Sequence, residues 1–384
     1  MSVLFFLPWV TTAEEVQLGS MTLVPYVRGD APGQLLGVGQ EVLDAILGSY
    51  GDQAFYPSRT STHVRTCTII TWESDIDGLE LSEDQIIPRL EMANYLAFSA
   101  LSQRRFCSHY GYCNSDGYQV IAQRFSKDRP GDTTLITRRR DGGGQHYVGS
   151  AEVPRFIRPH HVDGRLSFSL DAPLVIALLG LPDGLLKDRV DEAIDVFLRA
   201  NTDSSTMRER SEMVLMRVAF ETLLDSTHET SDLRRCFREH FQADLPGTPS
   251  WATGSFNEAQ WRARWTRHVE RPFDAWIQDF CSARNAAAHG PRGASALPIW
   301  KRHNHLLFSS WLFPLMVKKM LAAEGLYELQ DEDVIARRGF EAFFAHDLLA
   351  YADDEETNFW WNRVESELLL PVYANRIFST LDGS

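Results

Sequence analysis

Arg284 and His289 are the two residues of this chain whose types and spacing best suit chemistry. They begin and end the segment 284–289, whose sequence is RNAAAH. A histidine can take up and release a proton near neutral pH, which general acid–base catalysis requires. An arginine guanidinium can hold a phosphate through two parallel hydrogen bonds, and its burial is costly unless it meets a carboxylate or a phosphate. The pair therefore predicts a site that binds a phosphate group and transfers protons.

A predicted helix must position both residues. Apolar side chains recur at helical spacing just before them, at Phe273, Trp276, Ile277, Phe280 and Cys281. Gly290 and Pro291 then form a typical helix end. His289 falls in the last turn, where the negative end of the helix dipole favours a protonated ring. Asn285 lies one turn before His289 on the same face, so we expect Asn285 to orient the imidazole.

A purely structural role is the alternative for the same residues. Glu221 falls on the Val214 and Val218 face of another predicted helix, where it can pair with Arg284. His289 can serve only as a favourable positive charge at a helix C-terminus. The residue pattern by itself leaves the chemical and the structural interpretations open.

The segment 284–289 resembles the signature of the HEPN family. That signature is an arginine, usually a polar residue, three variable residues and a histidine, late in a helix of a helical bundle. Residues 192–201 look like the first helix of the Apea-like branch of this family, and residues 210–224 look like its second helix. The resemblance covers about residues 185–325, a little over a third of the chain. The departures from the family pattern are the break at residues 247–254 and the tryptophans Trp261 and Trp265.

The resemblance implies a metal-independent RNA endonuclease that needs no cofactor and works as a homodimer. Two such helices would meet across a two-fold axis, so that two chains supply the histidines that act as base and acid. The 2′-hydroxyl of RNA would attack the adjacent phosphate and leave 2′,3′-cyclic phosphate and 5′-hydroxyl ends. Arg284 would hold the scissile phosphate, His289 would transfer protons, Asn285 would orient its ring, and Glu221 would support Arg284 near the cleft.

The resemblance also implies a biological setting. The expected role is a toxin-like effector in bacterial anti-phage defence, with tRNA as a candidate substrate and with a defence-system partner or a phage-derived trigger. The alternative is a non-catalytic HEPN module that mediates dimerisation or docks a partner protein or RNA. The N-terminal domain would sense the trigger, hold a partner or select the RNA.

Two basic clusters in the first half of the chain are further candidates for RNA contacts. Arg138, Arg139 and Arg140 stand beside three glycines, and backbone nests of that kind can bind phosphates. Arg155 and Arg158 belong to a second cluster, just before the predicted bundle. Either cluster can equally be a solvated surface.

A zinc site is a third hypothesis. Cys107, His109 and Cys113 supply three ligand types that zinc prefers, and His63 is a conceivable fourth ligand. The spacing is irregular, which favours isolated buried thiols, and we therefore predict no bound metal.

Composition and charge exclude several classes of protein. The chain has 384 residues and a formal net charge of -14, of which residues 1–182 carry -5, residues 183–320 carry +1 and residues 321–384 carry -10. A protein that coats nucleic acid with basic residues throughout is excluded. Continuous apolar runs are far shorter than a membrane span. Five thinly spaced cysteines do not form a disulfide framework. The apolar N-terminus lacks the preceding basic residue that a secretory signal needs. We therefore predict a cytoplasmic protein with no membrane partner.

The expected fold class is α+β. Residues 1–180 predict a β-rich N-terminal domain with one long helix at 82–101, because short β-branched or alternating runs are separated by turn residues. Residues 181–325 predict an all-α, HEPN-like helical bundle, and residues 326–384 an acidic helical extension. Because carboxylates compete with phosphates for cations, this extension could cover a basic cleft and inhibit RNA binding.

Overall fold

The protein is mixed α and β and divides into two compact units. The computed structural model describes residues 2–30, 39–52, 62–73, 80–106, 112–126, 133–135, 154, 156–162, 169–241, 272–290 and 298–337, with the backbone alone at 133–135. The sheet unit comprises the described residues up to Arg104, those from 112 to Leu179, and Thr202–Ser204. The helical unit comprises Arg105, Phe106, Gly180–Asn201 and the described residues from Ser205 onward.

The sheet unit is built on a six-stranded antiparallel sheet with the order β2-β3-β5-β1-β6-β7. Two further short strands, β4 and β8, form a separate parallel pair. The strands are β1 (Ser2–Leu7), β2 (Val16–Leu18), β3 (Met21–Val27), β4 (Tyr50–Gly51), β5 (Thr66–Trp72), β6 (Ile121–Phe125), β7 (Thr133–Leu135) and β8 (Phe156–Ile157). Three α-helices accompany them in the described residues: α1 (Gln40–Leu47), α2 (Glu83–Ser102) and α3 (Ala172–Leu179).

β1 lies inside this sheet, between β5 and β6, and every one of its residues is buried. It pairs with β5 on one side, where Phe6 faces Ile69, and with β6 on the other. The apolar side of α1 packs on a core that includes Phe6 and Ile69, and an amphipathic helix on a sheet face is the usual way to bury both. The predicted helix at 82–101 is confirmed as α2, and the backbone N–H of Ser82 donates to Gln85 Oε1 at 3.0 Å.

The helical unit packs six described helices around aromatic residues. The helices are α4 (Leu185–Arg199), α5 (Glu209–Leu224), α6 (Thr230–Phe241), α7 (Pro272–His289), α8 (Arg302–Ala323) and α9 (331–337). α5 contacts α4, α6, α7 and α8, and its Phe220 ring touches Phe237, Phe280 and Phe313 from three of them. The predicted helix that carries Arg284 and His289 is α7, which is described from Pro272, because residues 242–271 lie outside the described part of the chain.

α8 has the length and hydropathy of a membrane-spanning helix, and about two thirds of the qualifying window is buried within the protein. Its side chains Leu312 and Phe313 are fully buried, and Phe313 stacks on Phe197 of α4 at 4.5 Å between ring centroids. A helix that is apolar on all sides is expected at the centre of a bundle as well as in a membrane.

The first residues of the predicted acidic extension belong to the helical unit. Lys318 Nζ of α8 donates to Asp333 Oδ1 at 2.9 Å, and Tyr327 hydroxyl donates to Asp333 Oδ2 at 3.0 Å. Lys318 and Asp333 are both buried. The rest of the predicted extension, residues 338–384, lies outside the described residues.

Candidate functional site

α7 changes from a core helix to a surface helix along its length. Residues 273–277 and 279–283 are buried, residues 284–287 are half-buried, and Ala288 and His289 are exposed. Gly290 follows with a φ of 76°, a left-handed conformation that ends helices and favours glycine. The predicted helix end is therefore confirmed, and His289 lies in the last turn.

The Arg284 guanidinium faces a neutral partner. Its Nη1 donates to Asn285 Oδ1 at 3.1 Å. Its Nε is buried and has no hydrogen-bond partner among the described residues, and no carboxylate there pairs with this side chain. A guanidinium offers five N–H donors in a planar fork, so Arg284 retains donors for an anionic ligand.

Glu221 pairs with a different arginine from the one that the sequence suggested. Arg217 Nε donates to Glu221 Oε1 at 2.7 Å, and the Arg217 side chain is only 3% exposed. The other ends of this guanidinium donate to the carbonyl of His228 and to Cys281 Sγ. The Arg284–Glu221 pair is therefore absent from the described structure, and Glu221 holds Arg217 instead.

The register of α5 against α7 explains this difference. Arg217 contacts Cys281, while Arg210, further back on α5, contacts the carbonyl of Ala286, further along α7, at 3.4 Å. The two helices therefore run antiparallel. Glu221 lies level with about residue 277, so it is about 10 Å along the axis from Arg284, at 1.5 Å per residue.

Asn285 also differs from its expected role. The sequence suggested that it orients the imidazole of His289, but the described hydrogen bond of its side chain is made to Arg284. In this conformation Asn285 positions the guanidinium, and His289 stands exposed at the end of the helix.

The candidate RNA contacts of the sheet unit are described only in part. Arg138, Arg139, Arg140 and Arg155 lie outside the described residues. Arg158 is buried, donates to the carbonyl of Val162 and faces Asp52 with 3.5 Å between Nε and Oδ1. Because the Arg158 guanidinium is buried and its described partners lie within the sheet unit, we assign it a structural role after β8 and not a contact with RNA.

The zinc hypothesis is likewise described only in part. Cys107 and His109 lie outside the described residues, while Cys113 is buried and His63 Nδ1 lies 2.8 Å from the carbonyl oxygen of Gly48. Burial raises the pKa of the Cys113 thiol, which opposes the thiolate form that binds metals. Among the described residues, no three His, Cys, Asp or Glu side chains are grouped as metal ligands.

A buried carboxylate that the sequence analysis missed fixes the turn before α8. Asp279 of α7 is fully buried and accepts from the backbone N–H of Ile299 at 2.7 Å and of Trp300 at 2.9 Å. Its Oδ2 also lies 3.0 Å from His305 Nε2. The signal was available, because Asp279 falls beside the apolar stripe of a core helix, where a carboxylate needs several donors.

Comparisons with protein-family models, with curated proteins and with solved structures gave no match for this chain. The functional assignment therefore depends on the residues at the end of α7 and on their surroundings.

Proposed function

We propose that the protein is a metal-independent RNA endonuclease of the HEPN type, with Arg284 and His289 as its catalytic residues. The observation that carries this proposal is the end of α7. There a half-buried guanidinium is hydrogen-bonded, among the described residues, to the neutral amide of Asn285, within a turn or two of an exposed histidine. An arginine held in this way suits a phosphate, because no described carboxylate competes for its charge.

The chemistry follows from these two side chains and from RNA itself. The 2′-hydroxyl is the nucleophile, and a histidine removes its proton as the new P–O bond forms. The arginine stabilises the negative charge that grows on the phosphate oxygens. A second histidine protonates the leaving 5′-oxygen, and because each chain brings one His289, the active form is a homodimer with both helices at one cleft.

We further propose that this nuclease acts as a toxin-like effector in anti-phage defence, with tRNA as its candidate substrate. A defence-system partner or a phage-derived trigger would then control it. The sheet unit is the part of the chain available for sensing, partner binding or RNA selection. Cleavage requires no cofactor in this scheme, because RNA supplies the nucleophile and the protein supplies the acid and base.

The test is cleavage of total tRNA and of a structured RNA by the full chain in excess EDTA. Arg284→Ala and His289→Ala should each abolish cleavage and leave the dimer intact. Arg199→Ala and His160→Ala are matched controls, since both residues are exposed and lie away from the end of α7 in sequence. The wild type should leave 2′,3′-cyclic phosphate ends.

Cleavage that persists in His289→Ala, or cleavage that EDTA stops, would contradict the proposed mechanism. A dimer that binds RNA but does not cut it in any condition would instead favour a non-catalytic HEPN module.

A further inference from the structure

A cavity of about 520 Å³ lies beside α7 in the helical unit. Ala283 and Ala286, which flank Arg284 in the sequence of α7, are among the residues that line it. Other lining residues come from the start of α5 and from residues 298 and 300–303, and the charged or titratable side chains there are Glu209, Arg210, Lys301, Arg302 and His303. Arg284, Asn285 and His289 are not among the lining residues, so this cavity is separate from the site proposed above.

The charge of the lining is positive. Arg210, Lys301 and Arg302 are cationic at neutral pH, and Glu209 is the carboxylate among the described residues that line the cavity. Glu209 Oε2 lies 3.9 Å from Arg302 Nε, and both side chains are more than a third exposed, so solvent weakens this pair. The described lining residues therefore carry about two positive charges in excess, while residues 183–320 together carry only +1.

The backbone adds to this positive potential. α5 begins at Glu209 and α8 begins at Arg302, so the first turns of both helices line the cavity. The positive ends of helix dipoles disfavour cations and favour anions. The N-cap positions are held by Arg208 and Lys301, whose side chains have no acceptor for the first-turn N–H groups. A bound anion would offset the repulsion that these cations meet at two helix starts.

We infer that this cavity binds a backbone phosphate of RNA other than the phosphate that Arg284 holds. The inference rests on the proposed function, because RNA is the substrate proposed there. Ala286 and Arg284 differ by two residues, which is about 3 Å along the helix axis and about 200° around it, so the cavity and Arg284 lie on different sides of α7. Arg210 and Lys301 hold this second phosphate, and Glu209 competes with it for Arg302.

The salt dependence of RNA binding tests this subsite. An RNA with 2′-O-methyl groups throughout cannot be cleaved, and its binding to the full chain is followed by fluorescence anisotropy at several salt concentrations. Each phosphate contact contributes about 0.7 to the slope of log K against log salt for a single strand. Arg210→Gln and Lys301→Gln should each lower that slope by about 0.7, while Arg199→Gln, a matched exposed cation on α4, should not change it.

Glu209→Gln provides a test in the opposite direction. Removing the competing carboxylate frees Arg302 for the phosphate, so this variant should bind the RNA more tightly than the wild type. With cleavable RNA, the Arg210 and Lys301 variants should raise KM and leave kcat at saturating RNA unchanged, because the subsite does not touch the reacting atoms.

The inference is overturned if the Arg210 and Lys301 variants keep the slope of Arg199→Gln, or if the wild type does not bind the RNA. It is also overturned if adenosine monophosphate binds the wild type but not Arg210→Gln while the RNA slope stays unchanged, since a free nucleotide would then be the ligand. A slope that falls as expected in a protein that never cuts RNA would support the subsite and reject the nuclease. Normal cleavage with unchanged slopes would support the nuclease and reject the subsite.

Discussion

Nη1 of Arg284 donates a hydrogen bond of 3.1 Å to Oδ1 of its neighbour Asn285. The guanidinium is thereby held by a neutral amide at the point where α7 reaches the surface. An ion pair would neutralise the arginine, whereas an amide fixes its direction and leaves its full charge. This distinction gives the first prediction.

Asn285→Asp should weaken RNA binding and cleavage more than Asn285→Ala. The aspartate places a carboxylate where the amide oxygen now accepts from Arg284, so the scissile phosphate must displace an ion pair. We expect a loss in kcat/KM of about tenfold or more, equivalent to about 1.4 kcal/mol of transition-state stabilisation. Steady-state cleavage of a short RNA measures it, and equal effects of the two substitutions would contradict the proposed role of Arg284.

Glu221→Ala should destabilise the helical unit without entering the chemistry. The substitution leaves the buried Arg217 guanidinium without its carboxylate, and breaking a buried pair costs about 3–5 kcal/mol, with the lower end expected because Glu221 is 16% exposed. Urea denaturation measures the free energy of unfolding. The double variant Arg217→Met with Glu221→Leu should recover most of the loss, because it removes both charges together.

The same variants decide whether Glu221 supports the catalytic site. If the stable double variant cleaves RNA at the wild-type rate, Glu221 has a structural role only. If that variant is stable but inactive, Glu221 belongs to the site that the sequence suggested.

His240 should make the helical unit less stable at mildly acidic pH. Burial lowers the pKa of His240 below its ordinary value of 6.5, and the Lys319 ammonium lowers it further. The folded state therefore prefers the neutral ring, and the unfolded chain takes up the extra proton as the pH falls below about 6.5. The free energy of unfolding should drop by at most about 1.4 kcal/mol per pH unit in that range.

Urea denaturation at several pH values from 7.5 to 5.0 measures this effect. His240→Gln should show a shallower dependence over the same range, because its amide does not titrate there. Parallel curves for the wild type and the variant would show that other groups carry the pH dependence.

The position of a C-terminal truncation should decide whether the helical unit stays folded. Deletion of residues 326–384 removes Asp333 and breaks its buried ion pair with Lys318, at a cost of about 3–5 kcal/mol. Deletion of residues 338–384 retains this pair together with Tyr327. We therefore expect the shorter deletion to lose less stability in urea than the deletion of residues 326–384.

The shorter deletion is then the proper test of autoinhibition by the acidic extension. Residues 338–384 contain most of its acidic side chains, including the run at 353–356. If these carboxylates compete with RNA, the deletion should tighten RNA binding and raise cleavage, most clearly at low salt. Unchanged binding in a folded truncated protein would reject the idea.

The sequence by itself determined the elements whose signals are local. The apolar stripe of α7, its end at Gly290 and the start of α2 at Ser82 follow from side chains within a few residues of one another. The mixed α and β character also follows, because β-branched alternation and helical periodicity occupy different halves of the chain.

Only the tertiary structure decided which charges meet. Glu221 pairs with Arg217 because the register of α5 against α7 places Glu221 about two turns from Arg284. In the sheet unit, the buried Arg158 lies against the carboxylate of Asp52. The cavity brings together Arg210 and Arg302, which are far apart in the sequence. The physical reason is that helix propensity and periodicity are local properties, whereas a charge partner depends on how packed helices slide and rotate against one another.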